Sequence, residues 1–306
     1  MIKFFSFITR KVFFLYIVIF FIAYRFLDYQ SVFEISRLKT LNRLVPPSFS
    51  GLVQYSQGTE QLKKEDLESY LYYFNKVIEY VPYESDLADA YGMLGFCYYA
   101  KGEPHKAIDF YKKAIGLNPH FFWFHYNLGL IYYKQGRYKE AMDSLDHAIS
   151  SNPGVIVEVL KTSRIYRQVM ELSKYSTQNM DIGLKTVYRN AYLLLITMHD
   201  ARKDYPKMFD YAGVAIEVKL DDDGLFYFYQ GLAAYRLKSY NNAIFALQES
   251  LRRNQNNADT FYYFGLSLDA VGKKDYAQAF LKQAEVRRRV TQGYSFDPQK
   301  VNLKIF

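Results

Sequence analysis

Cysteine, tryptophan and proline are scarce in this chain: one, one and eight among 306 residues. A single cysteine excludes the paired C-x-x-C of a zinc ribbon. Cys97 sits among helix-forming residues, so it reads as a small buried hydrophobe rather than a nucleophile. The histidines (His105, His120, His125, His147 and His199) lack metal-ligand spacing and read as packing or surface residues. There is no glycine-rich phosphate loop, and the acidic run 221–223 lacks the spacing of a calcium loop, reading instead as an acidic helix start. These absences leave no expected catalytic residue, metal ligand, cofactor or small-molecule substrate; an enzyme is not expected. With few prolines to break helices, and no stretch that alternates like a long strand, the expected class is all-α.

Charge is unevenly placed. Residues 1–50 carry a net +5 and residues 282–306 a net +4, whereas the stretch between carries −1, for a total of +8. A nucleic-acid binder would be expected to place its basic stripe on the folded face, so nucleic acid is not an expected partner. Arg287, Arg288 and Arg289 could meet acidic lipid or a partner, but fit a solvated helix end better.

The first fifty residues form a separate object. An uncharged apolar run, 12–24, is bounded by Arg10-Lys11 and Arg25. A bilayer requires about 20 apolar residues, so the span is expected to extend through 12–27 with Lys11 and Arg25 snorkelling. Only Ala23 offers a small residue for signal cleavage, and no cysteine is present for lipidation. The expectation is an uncleaved signal anchor (1–25) and a single-pass membrane location, with a cleaved signal or an interfacial helix as alternatives. Lys3, Arg10 and Lys11 precede the span and Arg25, Arg37 and Lys39 follow, a tie in flanking charge. The short basic start favours N-inside, placing the remainder on the extracytoplasmic side. In 26–50, Ile35, Leu38, Leu41 and Val45 line one side of a helix beside Arg37, Lys39 and Arg43, which suits a juxtamembrane surface or a soluble connector. Pro46-Pro47 ends that helix and begins a linker.

Beyond it the chain repeats itself. The phrases KKAIGLNP, ending at Pro119, and DHAISSNP, ending at Pro153, are 34 residues apart. Upstream of them, Leu94, Gly95, Tyr98, Gly102, Ala107, Tyr111 and Ala114 match Leu128, Gly129, Tyr132, Gly136, Ala141, Leu145 and Ala148. Each set marks two amphipathic helices, with small residues where they approach and a glycine in the turn. A period of 34 with this spacing resembles the tetratricopeptide repeat family.

The resemblance implies a right-handed α-solenoid of helix-turn-helix units, which would follow the N-terminal transmembrane helix expected from the apolar run 12–24. Clear units are expected at 88–121, 122–155, 224–257 and 258–291, with a degenerate leading unit at 51–87, degenerate units across 154–223 and a tail at 292–306. The unit at 224 stands three periods after the one at 122. In 154–188 only the length survives. Most of the 31 tyrosines and 25 phenylalanines are expected between packed helices.

The family's concave face is lined by the first helix of each unit. Carried onto this chain, it comprises Trp123, Tyr126, Leu130 and Tyr133 in one unit and Leu225, Phe228, Leu232 and Tyr235 in another. An apolar-aromatic lining suits an amphipathic helix or an extended apolar segment of a partner protein. Packing against neighbouring helices or against the chain's own tail is the alternative. The family's clamp for chaperone tails is not expected, because Gly92 and Phe96 stand where lysine and asparagine would; only Asn127 matches. Two function classes follow: a membrane-tethered scaffold, or an obligate structural subunit or assembly factor of an envelope machine.

Overall fold

The computed structural model describes residues 39–58, 61–81, 83–151, 162–173, 177–220, 223–290 and 296–304, with isolated positions between 19 and 37. Among these the regular structure is helical throughout. A short helix α1 (Ser50–Gln57) and α2 (Lys64–Tyr80) lead into α3 (Glu84–Ala100) and α4 (Pro104–Leu117). Then come α5 (Phe122–Lys134), α6 (Tyr138–Ile149), α7 (Arg164–Ser173) and α8 (Thr177–Ala201). The last five are α9 (Tyr205–Glu217), α10 (Leu225–Arg236), α11 (Tyr240–Arg253), α12 (Ala258–Ala270) and α13 (Lys274–Val290). The hairpins α3–α4, α5–α6, α8–α9, α10–α11 and α12–α13 stack in order, each second helix packing on the first helix of the next hairpin. This nearest-neighbour arrangement is an α-solenoid.

The same turn closes all five hairpins. In the first, Gly102 N–H donates to Tyr99 O at 2.9 Å and Glu103 N–H to Tyr98 O at 2.9 Å. The pair recurs at Gly136/Arg137, Lys203/Asp204, Lys238/Ser239 and Gly272/Lys273. This is the Schellman arrangement, which requires a left-handed residue after the helix. Glycine supplies it without strain at 102, 136 and 272, whereas Lys203 and Lys238 adopt φ of 59° with a side chain.

Close approach within each hairpin is set by the small residues read from the sequence. A Cβ on Gly95 would meet the Tyr111 ring at 3.0 Å, and one on Gly129 would meet Leu145 Cγ at 2.9 Å. At Gly231 the distance to Leu247 Cγ is 2.5 Å. In α8–α9 the equivalent slots hold Ile196 and Ala212, both fully buried, so large and small exchange helices. Ala107, Ala141, Ala243 and Ala277 are likewise buried on the second helices.

Residues 154–188 do not form a hairpin where they are described. They supply α7 and the start of the 25-residue α8, whose later part is the first helix of the third hairpin. Helix α7 leaves the stack and crosses back to α1 and α3. Tyr73 Oη donates to Gln168 Oε1 at 2.9 Å, and the Phe121 and Tyr166 rings lie 5.4 Å apart. Ile165, Tyr166 and Val169 are buried by this return.

The amphipathic stretch before the linker faces the domain in its described part. Leu41 is buried, Arg37 donates to the Glu79 and Val81 carbonyls, and Arg164 donates to Asn42 Oδ1 at 2.7 Å. Among the described residues no helix is long and apolar enough to cross a membrane. The expected span at 12–27 lies mostly outside the described residues. Of its positions, Ile19, Phe20, Ile22 and Phe26 are exposed and helical.

Candidate functional site

The eight side chains expected on one open face divide among different neighbours. Trp123, Tyr126 and Leu130 are fully buried, and Tyr133 is half-buried. Leu225, Phe228 and Leu232 are buried, and Tyr235 is half-buried. In this conformation none of the first three offers surface to a partner. On α5, Phe122 stacks on Tyr188 of α8 at 4.3 Å between ring centroids, which joins the second hairpin to the third across the displaced α7.

Trp123 and Asn127, one helical turn apart, face a different occupant. The segment 296–304 lies along α5, running from its C-terminal end back toward Asn127. Lys134 Nζ donates to Gln299 O at 3.0 Å at one end. At the other, Lys304 N–H donates to Asn127 Oδ1 at 2.9 Å while Asn127 Nδ2 donates to Lys304 O at 2.6 Å. A carboxamide thus pairs with both backbone groups of one residue, a contact that reads an extended main chain and not its side chain. The second Nδ2 proton of Asn127 goes to Tyr111 Oη at 3.0 Å, which fixes the amide's orientation.

The segment's apolar side chains alternate inward, with Val301 and Leu303 buried. Asn302 passes against Gly58, the left-handed residue (φ 76°) that ends α1; a Cβ there would lie 2.8 Å from Asn302 Nδ2. Lys304 Nζ reaches the Ser56 carbonyl at 2.6 Å. Burial lowers the pKa of this ammonium, and no carboxylate pairs with it among the described residues. Gly92, Met93, Phe96, Tyr111, Trp123, Phe124, Asn127, Tyr166 and Lys304 together enclose a cavity of about 10 Å³, so α7 and the segment close this part of the face between them. Among the described residues no acceptor meets the buried indole N–H of Trp123, a residue that lines this cavity.

Aromatic surface remains half-exposed farther along. Tyr235 and Tyr263 lie 5.5 Å apart, Phe228 and Tyr263 6.4 Å, and Arg236 sits over the Tyr263 ring at 5.8 Å. Tyr262 and Tyr263, on the first helix of the last unit, continue this stripe; the 34-residue offset from Phe228 gives Tyr262, and that from Tyr229 gives Tyr263. On another side of the stack, a 660 Å³ hollow opens between α11 and α13 over Phe261, Phe264 and Phe280. Arg287 stacks over Phe261 at 3.8 Å and Arg288 pairs with Asp259 at 3.0 Å, so these two of the three consecutive arginines are held on the last unit.

Two of the five histidines are buried in the fold, and the other three are exposed. His125 Nε2 lies 2.7 Å from the Pro119 carbonyl, and burial lowers its pKa. His199 Nδ1 lies 3.2 Å from Asp204 Oδ2, beside the hairpin turn. Cys97 is fully buried and burial raises its thiol pKa, against a nucleophilic role. Among the described residues no three His, Cys, Asp or Glu side chains could hold a metal.

With this geometry established, similarity to known proteins is confined and consistent. Residues 95–136 match a family model described as TPR repeat, and residues 122–154 one described as tetratricopeptide repeat. No curated protein matches the sequence. Among solved structures, YrrB, titled "a TPR protein with an unusual peptide-binding site", aligns with a TM-score of 0.51 at 18% identity, over 71% of this chain and 93% of that chain. Pseudomonas aeruginosa pilF aligns at 0.47 and 16% identity over 80% and 93%, and MamA from Desulfovibrio magneticus RS-1 at 0.45 and 14% over 67% and 97%. The first likeness is one of fold alone, and the other two carry no weight. The repeat matches place tetratricopeptide repeats at 95–154, and the 34-residue spacing and the five recurring turns carry the same pattern along the described solenoid.

Proposed function

We propose that the protein is a membrane-tethered scaffold whose first-helix face holds an extended segment of a partner protein and so helps to assemble a membrane or envelope complex. The observation that carries the reading is the seating of 296–304. The face around Asn127 accommodates an extended polypeptide, pairs with its main chain and buries alternate apolar side chains. Repeats of this kind supply interaction surfaces, and the half-exposed Tyr235 and Tyr263, backed by buried Phe228, extend the same face toward the last unit. Aromatic clusters of this sort commonly carry the binding energy of an interface. Support for the tether comes from the uncharged run 12–24 and the exposed Ile19, Phe20, Ile22 and Phe26, with the repeats on the extracytoplasmic side.

Site-specific photocrosslinking in membranes tests the reading. A crosslinker at Tyr235 or Tyr263 is expected to capture one discrete partner, while the same group at exposed Phe245 of α11 captures none. Equal capture at all three positions, or none at the first two, would reject the first-helix face as the binding surface.

A further inference from the structure

The segment 296–304 is held on the repeats by side-chain hydrogen bonds and by the burial of Val301 and Leu303. Among the described residues, no backbone–backbone hydrogen bond joins it to the repeats; its own turn is closed by Lys300 N–H to Asp297 O and Val301 N–H to Pro298 O. Its polar hold on the repeats goes through the side chains of Asn127, Lys134 and Lys304. That is how a bound peptide is held. The fit is also imperfect. Among the described residues the buried indole N–H of Trp123 has no acceptor, and the buried Lys304 ammonium has a carbonyl as its partner rather than a carboxylate. A buried donor left unmade and a desolvated charge both weaken the complex relative to a better occupant.

We propose that residues 296–304 are an intramolecular ligand, which occupies the groove bounded by α1, α3 and α5 until an extended segment of a partner protein, with apolar residues at two alternate positions, displaces it. The proposal rests on the first-helix face being a binding surface. The displacing segment would present an acceptor toward Trp123 and reuse the Asn127 pairing, which is indifferent to sequence. A tethered competitor acts at an effective concentration of order millimolar. If the segment's intrinsic Kd is about 10 μM, apparent affinity for a free copy of it falls about 100-fold while the tether is seated.

The test uses the full chain and a fluorescein-labelled peptide of residues 296–304, followed by anisotropy, with emission from Trp123, the one tryptophan, as a second readout. Leu303→Asp places a charge at a buried position and should release the segment. The released chain is expected to bind the peptide at least tenfold more tightly than the unaltered chain, with helix content unchanged. Adding Asn127→Ala to that variant should weaken binding at least tenfold. Equal binding by the unaltered and released chains would overturn the proposal. So would failure of the released chain to bind while folded. Should Leu303→Asp unfold the protein, Val301→Ser is the milder release; loss of helix content there too would make the segment a part of the core and end the proposal. Tight peptide binding by the released chain, with no capture at Tyr235 or Tyr263, would retain the intramolecular ligand and reject only the extended partner face.

Discussion

Gly231 and Gly116 are both helical glycines, and replacing each with alanine should move stability in opposite directions. At Gly116, near the end of α4, an added Cβ meets nothing within 4 Å. Only the helix propensity gain remains, about 0.5–1 kcal/mol of stabilisation. At Gly231 the same Cβ falls 2.5 Å from Leu247 Cγ, 2.9 Å from Leu247 Cδ2 and 3.2 Å from the Leu247 backbone nitrogen. The side chain can turn aside, but the backbone nitrogen moves only if α11 moves away from α10. Overpacking of this kind costs about 1–3 kcal/mol, against a propensity gain of about 1 kcal/mol. Because the propensity gain is nearly common to both variants, their difference isolates the packing cost, about 1–3 kcal/mol. Urea titration followed by circular dichroism measures the difference, and hydrogen exchange locates it. Protection should fall in α10 and α11 and persist in α3–α6, since α10 and α11 pack chiefly on α8, α9 and α12. The third hairpin supplies a repair: Gly231→Ile together with Leu247→Ala copies its Ile196/Ala212 exchange and should recover most of the loss. Equal stabilisation by the two single alanine variants would refute the close-approach reasoning, and uniform loss of protection would refute the independence of the units.

Other outcomes follow from the same geometry. Lys203→Gly and Lys238→Gly relieve positive φ at two hairpin turns and should each stabilise by about 0.5–1 kcal/mol in the same titration; no gain would mean the lysine side chains compensate the strain. Burial raises the Asp89 pKa to about 7, with the Ser163 hydrogen bond opposing and the Asp86 charge adding, at the cap of α7. The folded state therefore holds a proton there that the unfolded chain releases near 4, and stability contributed at low pH declines as pH rises through 7. Protection of α7, corrected for intrinsic exchange, should fall between about pH 4 and pH 7 and level off above, and Asp89→Asn should flatten that slope; an unchanged slope would place the titration elsewhere. Deleting residues 1–30 leaves Arg37 and Leu41 on the repeats and should release the protein from membranes. Sedimentation with membranes after a high-salt wash would reject the anchor.

The units with Gly95, Gly129, Gly231 and Gly265 were legible in the sequence because the same slot is small each time and the turn follows at a fixed distance. The third hairpin was only half legible. Its contact preserves total volume by exchanging Ile196 for glycine and Ala212 for leucine, which a search for small residues at one offset cannot detect. The excursion of α7 left no periodic trace either, because a helix that crosses the stack obeys its contacts with α1 and α3 and not the repeat. For the candidate face, the sequence points to α5 and α10 and offers the chain's own tail only as an alternative occupant, without saying which of its residues would lie there. Trp123 and Asn127 were visible as a tryptophan and a family-typical asparagine; that Val301 and Leu303 would cover that face depends on contacts far apart in the chain, which no local pattern encodes.

Lys304 lies 177 residues beyond its partner Asn127 and 248 beyond Ser56. A ribosome adding about 5–20 residues per second would expose Asn127 roughly 10–35 s before it exposes Lys304. Helical hairpins form far faster than that, in microseconds to milliseconds. Each newly made molecule therefore passes through an interval in which α3 and α5 are folded and their own ligand does not yet exist. A partner present at the site of synthesis meets an empty groove during that interval, and a partner arriving later meets a filled one.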